Sequence, residues 1–191
     1  MPRAATPALG VASLKARIAG YIVDQVIFAA LAMIMFVLSF GLLLLFTDAA
    51  TNDPSDAQIY AIFAIIGIGT PSIWSAMNLL LLRWRRQTGG QYVAGVRLAR
   101  EDGAPLSTRD TAAWWFCLNP LLFSWPMAAV ALFPLAGVVS ITLDRATIAV
   151  FGGLLLLCFA APFAALAAAL LDPYNRALHD RVVGTVVVPA E

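Results

Sequence analysis

Residues 15–46 read KARIAGYIVDQVIFAALAMIMFVLSFGLLLLF, an apolar run broken near its start by Arg17 and Asp24. About 20 helical residues at roughly 1.5 Å each cross a hydrocarbon core, so this run is long enough to span a bilayer. Arg17 and Asp24 are seven positions apart, which places them on nearly one helix face, offset by about 20°. Asp24 then lies about 10 Å deeper along the axis. A carboxylate at that depth costs a few kcal/mol (~2.5 to 3.5 on insertion scales) unless it is neutralised, paired or hydrated, so it faces the bundle interior. Two readings stay open. Either Tyr21, Gln25 or an arginine satisfies Asp24 and the group fixes packing, or Asp24 titrates or binds a cation during function.

The rest of the chain has the same character. Of 191 residues, 61% are hydrophobic and 12% charged, against about a quarter charged in soluble domains. The composition therefore describes an integral membrane protein with the lipid bilayer as its main partner, and it offers nothing to nucleic acid. Four apolar spans are expected, at about 17–46, 57–82, 111–143 and 147–171, after a tail at 1–16 expected to be unstructured. A loop at 83–110 and a tail at 172–191 complete a single membrane domain. The first run contains an acid and is longer than the 7–15 residues typical of a signal-peptide core, so it is expected to stay uncleaved. Cys117 and Cys158 have no CxxC spacing and read as small core residues; no metal site and no cofactor are expected.

Eleven of the twelve Lys and Arg residues fall in the N-terminal segment, the central loop or the C-terminal tail, and Arg145 alone lies in an opposite loop. By the positive-inside rule both termini are cytosolic. Arg83, Trp84, Arg85 and Arg86 at the end of the second run suit an interfacial lipid anchor. In that run Gly67, Gly69 and Pro71 predict a kink and a close helix approach. The third run contains Pro120, Pro126 and Pro134 and predicts a kinked span preceded by an interfacial turn around Trp114 and Trp115. In the fourth run, Ala161, Ala165 and Ala169 repeat at four-residue spacing, which predicts a helix buried against its neighbours. In the central loop, QTGGQ reads as a turn, Tyr92 to Arg100 as a weak strand, and Ser107 to Asp110 as a capping box. The valine-rich end, Val182 to Val188, is expected to pair with 93–99 as a small cytosolic β-element, because a lone strand leaves its backbone unpaired.

Three pieces together resemble the RDD family of small bacterial membrane proteins, named for one arginine and two aspartates: Arg17 with Asp24, the loop QTGGQYVAGVRLAREDGAPLS and the ending RALHDRVVGTVVV. By position, Arg17 and Asp24 supply the arginine and one aspartate, and Asp180 the other. The family loop often carries Pro-Gly-Lys where this chain has Gly89-Gly90-Gln91, which removes a basic group and weakens a phosphate-binding reading. The resemblance implies a bacterial inner-membrane protein, with cation/proton antiport attributed to some members.

Asn78 lies about 7 Å in from Arg83, and Asn119 about 13 Å in from Asp110. With Asp24 and the loop residues Arg97 and Arg176 they are expected to form a one-sided polar site near the cytosolic face. His179, beside Asp180, has an ordinary pKa that permits proton transfer and otherwise braces the tail against the loop. Two functions compete. One is cation/proton transport through Asp24; the outer half of the spans has only scattered Ser and Thr, so it requires a homo-oligomer or partner. The other is a non-catalytic accessory or assembly subunit packed on a larger membrane complex. An enzyme is not expected, since the sequence lacks HExxH, Walker, dinucleotide and Ser/His/Asp patterns.

Overall fold

The computed structural model describes residues 10–132 and 144–190. Helix α1 (Leu14–Phe46) starts at Ser13, whose side chain accepts from the Ala16 N–H, and ends at Thr47, before a turn in which Asp48, Ala49 and Ala50 have positive φ. The buried residues of α1 are Gly20, Asp24, Phe28 and Ser39. The first three recur every four residues, so one stripe faces the bundle and the rest of the helix is an apolar exterior.

Helix α2 (Asp56–Ala64) opens with a Ser55–Gln58 capping box and passes through a π-helical turn, Ile65–Gly69, into α3 (Thr70–Arg85). The π turn is the form that the expected irregularity at Pro71 takes. Proline has no N–H and clashes with the preceding carbonyl; here the Thr70 N–H reaches back to the Ile65 carbonyl, and Pro71 opens the next α-helix. The helix therefore continues across the proline as one apolar rod, Asp56–Arg85.

The loop after α3 differs from its sequence reading. Gly89–Val93 forms a short helix, α4, with a Thr88–Gln91 capping box, where a turn running into a strand was expected. The strand β1 is Val96–Arg100. It pairs antiparallel with β2 (Thr185–Pro189) in a register that sets Arg97 opposite Val188 and Leu98 opposite Val187. The small β-element joining loop and tail is thus present. The Ala12 N–H donates to the Val187 carbonyl at 2.9 Å, so residues 12–13, assigned above to an unstructured tail, are tied to the sheet and α1 begins three residues early.

Helix α5 (Thr108–Phe116) begins with the Ser107–Asp110 capping box. The third apolar run is not one helix: the chain leaves the helix at Cys117, passes through Leu118 at positive φ, and resumes as α6 over 125–132. Trp114 and Trp115 belong to α5 and are buried, not in an interfacial turn. The remainder of that run, 133–143, lies outside the described residues. Helix α7 (Arg145–Leu170) buries one face, Cys158, Ala161, Ala165, Ala168 and Ala169, while Leu156, Phe163 and Leu170 are exposed. It is therefore half-buried, not enclosed. Helix α8 (Leu178–Val183) stops at Gly184, whose φ of 70° permits the left-handed cap before β2.

The core sits at the sheet end of the bundle. Phe28 meets Trp74 edge-on at 5.6 Å, and Trp74 meets Trp115 at 6.4 Å. Leu82, Trp114, Leu121, Met127 and the inward side of the sheet, Val96, Leu98 and Val187, complete that cluster. Among the described residues three helices are long and apolar enough to cross a membrane: Leu14–Phe46, Asp56–Arg85 and Arg145–Leu170.

Candidate functional site

Two buried carboxyls at the sheet end are held by different chemistry. Asp24, 1% exposed, accepts a hydrogen bond from the Thr88 hydroxyl at 2.5 Å and another from the Gly90 N–H at 2.7 Å. These donors come from the capping-box residue and first turn of α4. The helix can reach the acid because two glycines let the backbones meet. A Cβ on Gly90 would lie 1.9 Å from the Gly20 carbonyl and 2.7 Å from Asp24, and one on Gly20 would lie 3.3 Å from the Gly90 carbonyl. Any side chain at Gly90 displaces α4 from α1. Among the described residues both donors to Asp24 are uncharged, and no ion pair reaches it.

Asp180 is held by charge. Arg17 Nη2 donates to Oδ2 in a buried ion pair, the Trp114 indole N–H donates to Oδ1 at 2.7 Å, and the Ala177 N–H donates to Oδ2 at 3.0 Å. The carboxyl caps its own helix, α8. Burial alone would raise its pKa, but Arg17 and the Trp114 hydrogen bond hold it below the usual carboxylate range. His179 packs edge-on against Trp114 at 5.0 Å. Burial pushes its pKa down and Arg17 pushes it further, against the pull of Asp180. The ring is neutral at pH 7, so its 3.7 Å approach to Asp180 is not an ion pair. Arg17 Nη1 and His179 Nδ1 are both buried without a hydrogen-bond partner among the described residues.

The polar residues expected to converge on Asp24 go elsewhere. Asn78 donates to the Trp74 carbonyl at 3.1 Å, and Asn119 bonds the backbone of Trp114 and Leu121, bracing the α5–α6 break. Arg176 pairs with Glu101 at 2.7 Å and Asp172 at 3.1 Å, and Arg181 joins Asp172 at 3.2 Å, locking the tail to the loop. Arg97 is on β1, and its Nε is buried without a partner. Tyr21 donates to the Pro120 carbonyl, and Gln25 accepts from Ser124, so neither serves Asp24. At the end of α3, Arg83, Trp84, Arg85 and Arg86 are exposed, Trp84 at 73%, and the Arg85 guanidinium lies 5.2 Å from the Tyr92 ring.

Thr88 and Gly90 are not among the candidates read from the sequence, although Thr88-x-x-Gln91 is a capping-box pattern that marks a helix start. Trp114 was placed at an interface and is instead a donor to Asp180. A cavity of about 360 Å³ lies between α1 and α7, and Arg17, Tyr21, Asp24, Trp114 and His179 all border it.

A family model described as the RDD family matches residues 11–184. No curated protein and no solved structure matches the chain. The matched span takes in the arginine and both aspartates whose settings differ so sharply, and this helical membrane protein belongs to the RDD family.

Proposed function

We propose that the chain exchanges a small cation for protons, with the Asp24 carboxyl as the exchanging group. One observation carries this reading: of the acids buried at the sheet end, Asp180 and Asp172 have arginines, whereas Asp24 has only the uncharged donors Thr88 and Gly90 among the described residues. A buried carboxyl without a fixed counter-charge takes a proton or a cation to be neutral. The two then substitute for each other: a cation binds as the proton leaves, and the carboxyl takes up a proton when the cation departs, while the Thr88 and Gly90 donors stay in place.

The reading includes four spans in the bacterial inner membrane, both termini and the sheet on the cytosolic side, and a non-enzymatic role. It rests on the basic residues gathered around the loop and tail. Toward the far end the buried polar residues of the described spans include only Ser39 and Thr70, so a second copy or a partner subunit completes the route.

The test is reconstitution into vesicles holding a pH-sensitive dye. Cation-dependent proton flux that disappears in Asp24→Asn, at unchanged folded yield, is the expected result. No flux from wild-type protein, together with subunits that co-purify in fixed proportion, would instead assign the accessory role.

A further inference from the structure

The cavity between α1 and α7 is walled mostly by hydrocarbon, with a few polar side chains among it. On α1 its border runs from Leu14 to Asp24, about 15 Å, and on α7 from Ala169 back to Pro162, about 10 Å. At one end stand Arg17 and His179, each with a buried nitrogen that lacks a partner among the described residues. Toward the other end the walls are Ile22, Pro162 and Phe163, with Asp24 also on the border. The volume, about 360 Å³, falls in the ~300–1,000 Å³ range of ligand cavities. The rim residues Ile18, Ile22, Phe163 and Leu166 are exposed and lie on two helices long and apolar enough to be in a bilayer. The cavity thus opens sideways onto lipid, with its hydrogen-bond donors at helix-end depth.

We propose that this cavity binds one glycerophospholipid of the surrounding leaflet. An acyl chain lies between α1 and α7, and a phosphate or ester oxygen accepts from Arg17 Nη1. The guanidinium is suited to this because its fork presents several donors: Nη2 is committed to Asp180, and Nη1 is left for an oxygen acceptor. Water alone does not account for the shape, since the greater part of the wall is hydrocarbon. Basic pockets between membrane helices at headgroup level are a known means of holding anionic lipid. Asp24 borders the same cavity, but the anchor is Arg17, so the lipid site and exchange at Asp24 are told apart by experiment.

The experiment uses the full chain in phosphatidylethanolamine and phosphatidylglycerol vesicles doped with a phospholipid that carries a diazirine in its acyl chain. After illumination the adducts are mapped by tandem mass spectrometry. Adducts are expected at Ile18, Phe163 and Leu166 in excess over Val37 and Leu156, which are exposed on the same helices away from the cavity. Ala165→Leu, which fills the cavity without touching Arg17, is expected to lower the cavity adducts and leave those at Val37 unchanged. Arg17→Lys retains a charge for Asp180 but loses the planar fork that reaches two separate acceptors, and should weaken retention of the lipid by about tenfold, the loss of one hydrogen bond to a charged group. Cavity adducts no more frequent than those at Val37 and Leu156, or unchanged in Ala165→Leu, would overturn the site and leave only annular lipid. Proton flux measured in Ala165→Leu distinguishes the two proposals: adducts lost with flux retained assigns the lipid site independently of Asp24.

Discussion

Asp24 and Asp180 are both fully enclosed, and both tie the long apolar helix α1 to a short helix, yet they are stabilised in opposite ways. At Asp180 the carboxylate meets a guanidinium, an indole N–H and a backbone N–H. At Asp24 it meets a hydroxyl and a backbone N–H. The first arrangement fixes the charge state and serves as a latch between α1, α5 and α8. The second holds the geometry and supplies no counter-charge among the described residues. In this chain the three ionisable residues therefore form one fixed pair and one unmatched acid, close together on the same few helical turns.

The comparison is broken most severely at the latch. Asp180→Ala leaves Arg17 buried without its counter-charge, which costs about 3–5 kcal/mol; folded, monodisperse yield in mild detergent should collapse. Next comes the contact between α1 and α4. In Gly90→Ala the new methyl meets the Gly20 carbonyl and Asp24, so α4 must move; a loss of about 1–3 kcal/mol in thermal or denaturant unfolding is expected, and an unchanged transition would refute the close approach. Thr88→Val removes both the hydroxyl to Asp24 and the cap of α4, at a cost of about 1–2 kcal/mol, and it should slow exchange while leaving the latch intact.

A smaller effect follows from His179. Its folded pKa is below the ordinary 6.5 because of burial, so as pH falls below 6.5 the unfolded chain takes up a proton that the folded chain does not. Stability is therefore full above that pH and declines below it, by up to about 1.4 kcal/mol per pH unit, until the folded ring also protonates. Asp180, shifted down, adds its own loss only below its ordinary 3.8. Unfolding followed between pH 7 and 5 should show the first slope, and His179→Gln should flatten it.

Much of the architecture was legible because it depends on local pattern. The apolar runs marked the long helices, the Ser107-x-x-Asp110 signal marked the start of α5, and the valine-rich end at 182–188 marked a strand that needed a partner, although Val182 and Val183 close α8 and the strand starts at Thr185. What was not legible depended on which elements meet in space. Arg17 and Asp24 share a helix face, which suggested a common site, but Arg17 reaches α8 and Asp24 reaches α4. The loop arginines were assigned to the buried acid from charge alone, whereas Arg176 is nearer to Asp172 and Glu101. Gly90 carried the decisive hint: a glycine pair beside a capping threonine reads locally as a turn, and only the facing Gly20 on α1 shows that it is a point of helix contact.

The most direct test of the contrast is infrared spectroscopy of the Asp24 carboxyl in the reconstituted protein, isolated as the difference between wild type and Asp24→Asn while pH and cation concentration are varied. The account predicts a protonated carboxyl band that diminishes as cation is added and returns when it is removed. A carboxyl signal that stays the same at every pH and cation concentration would contradict it, because Asp24 would then be as fixed as Asp180.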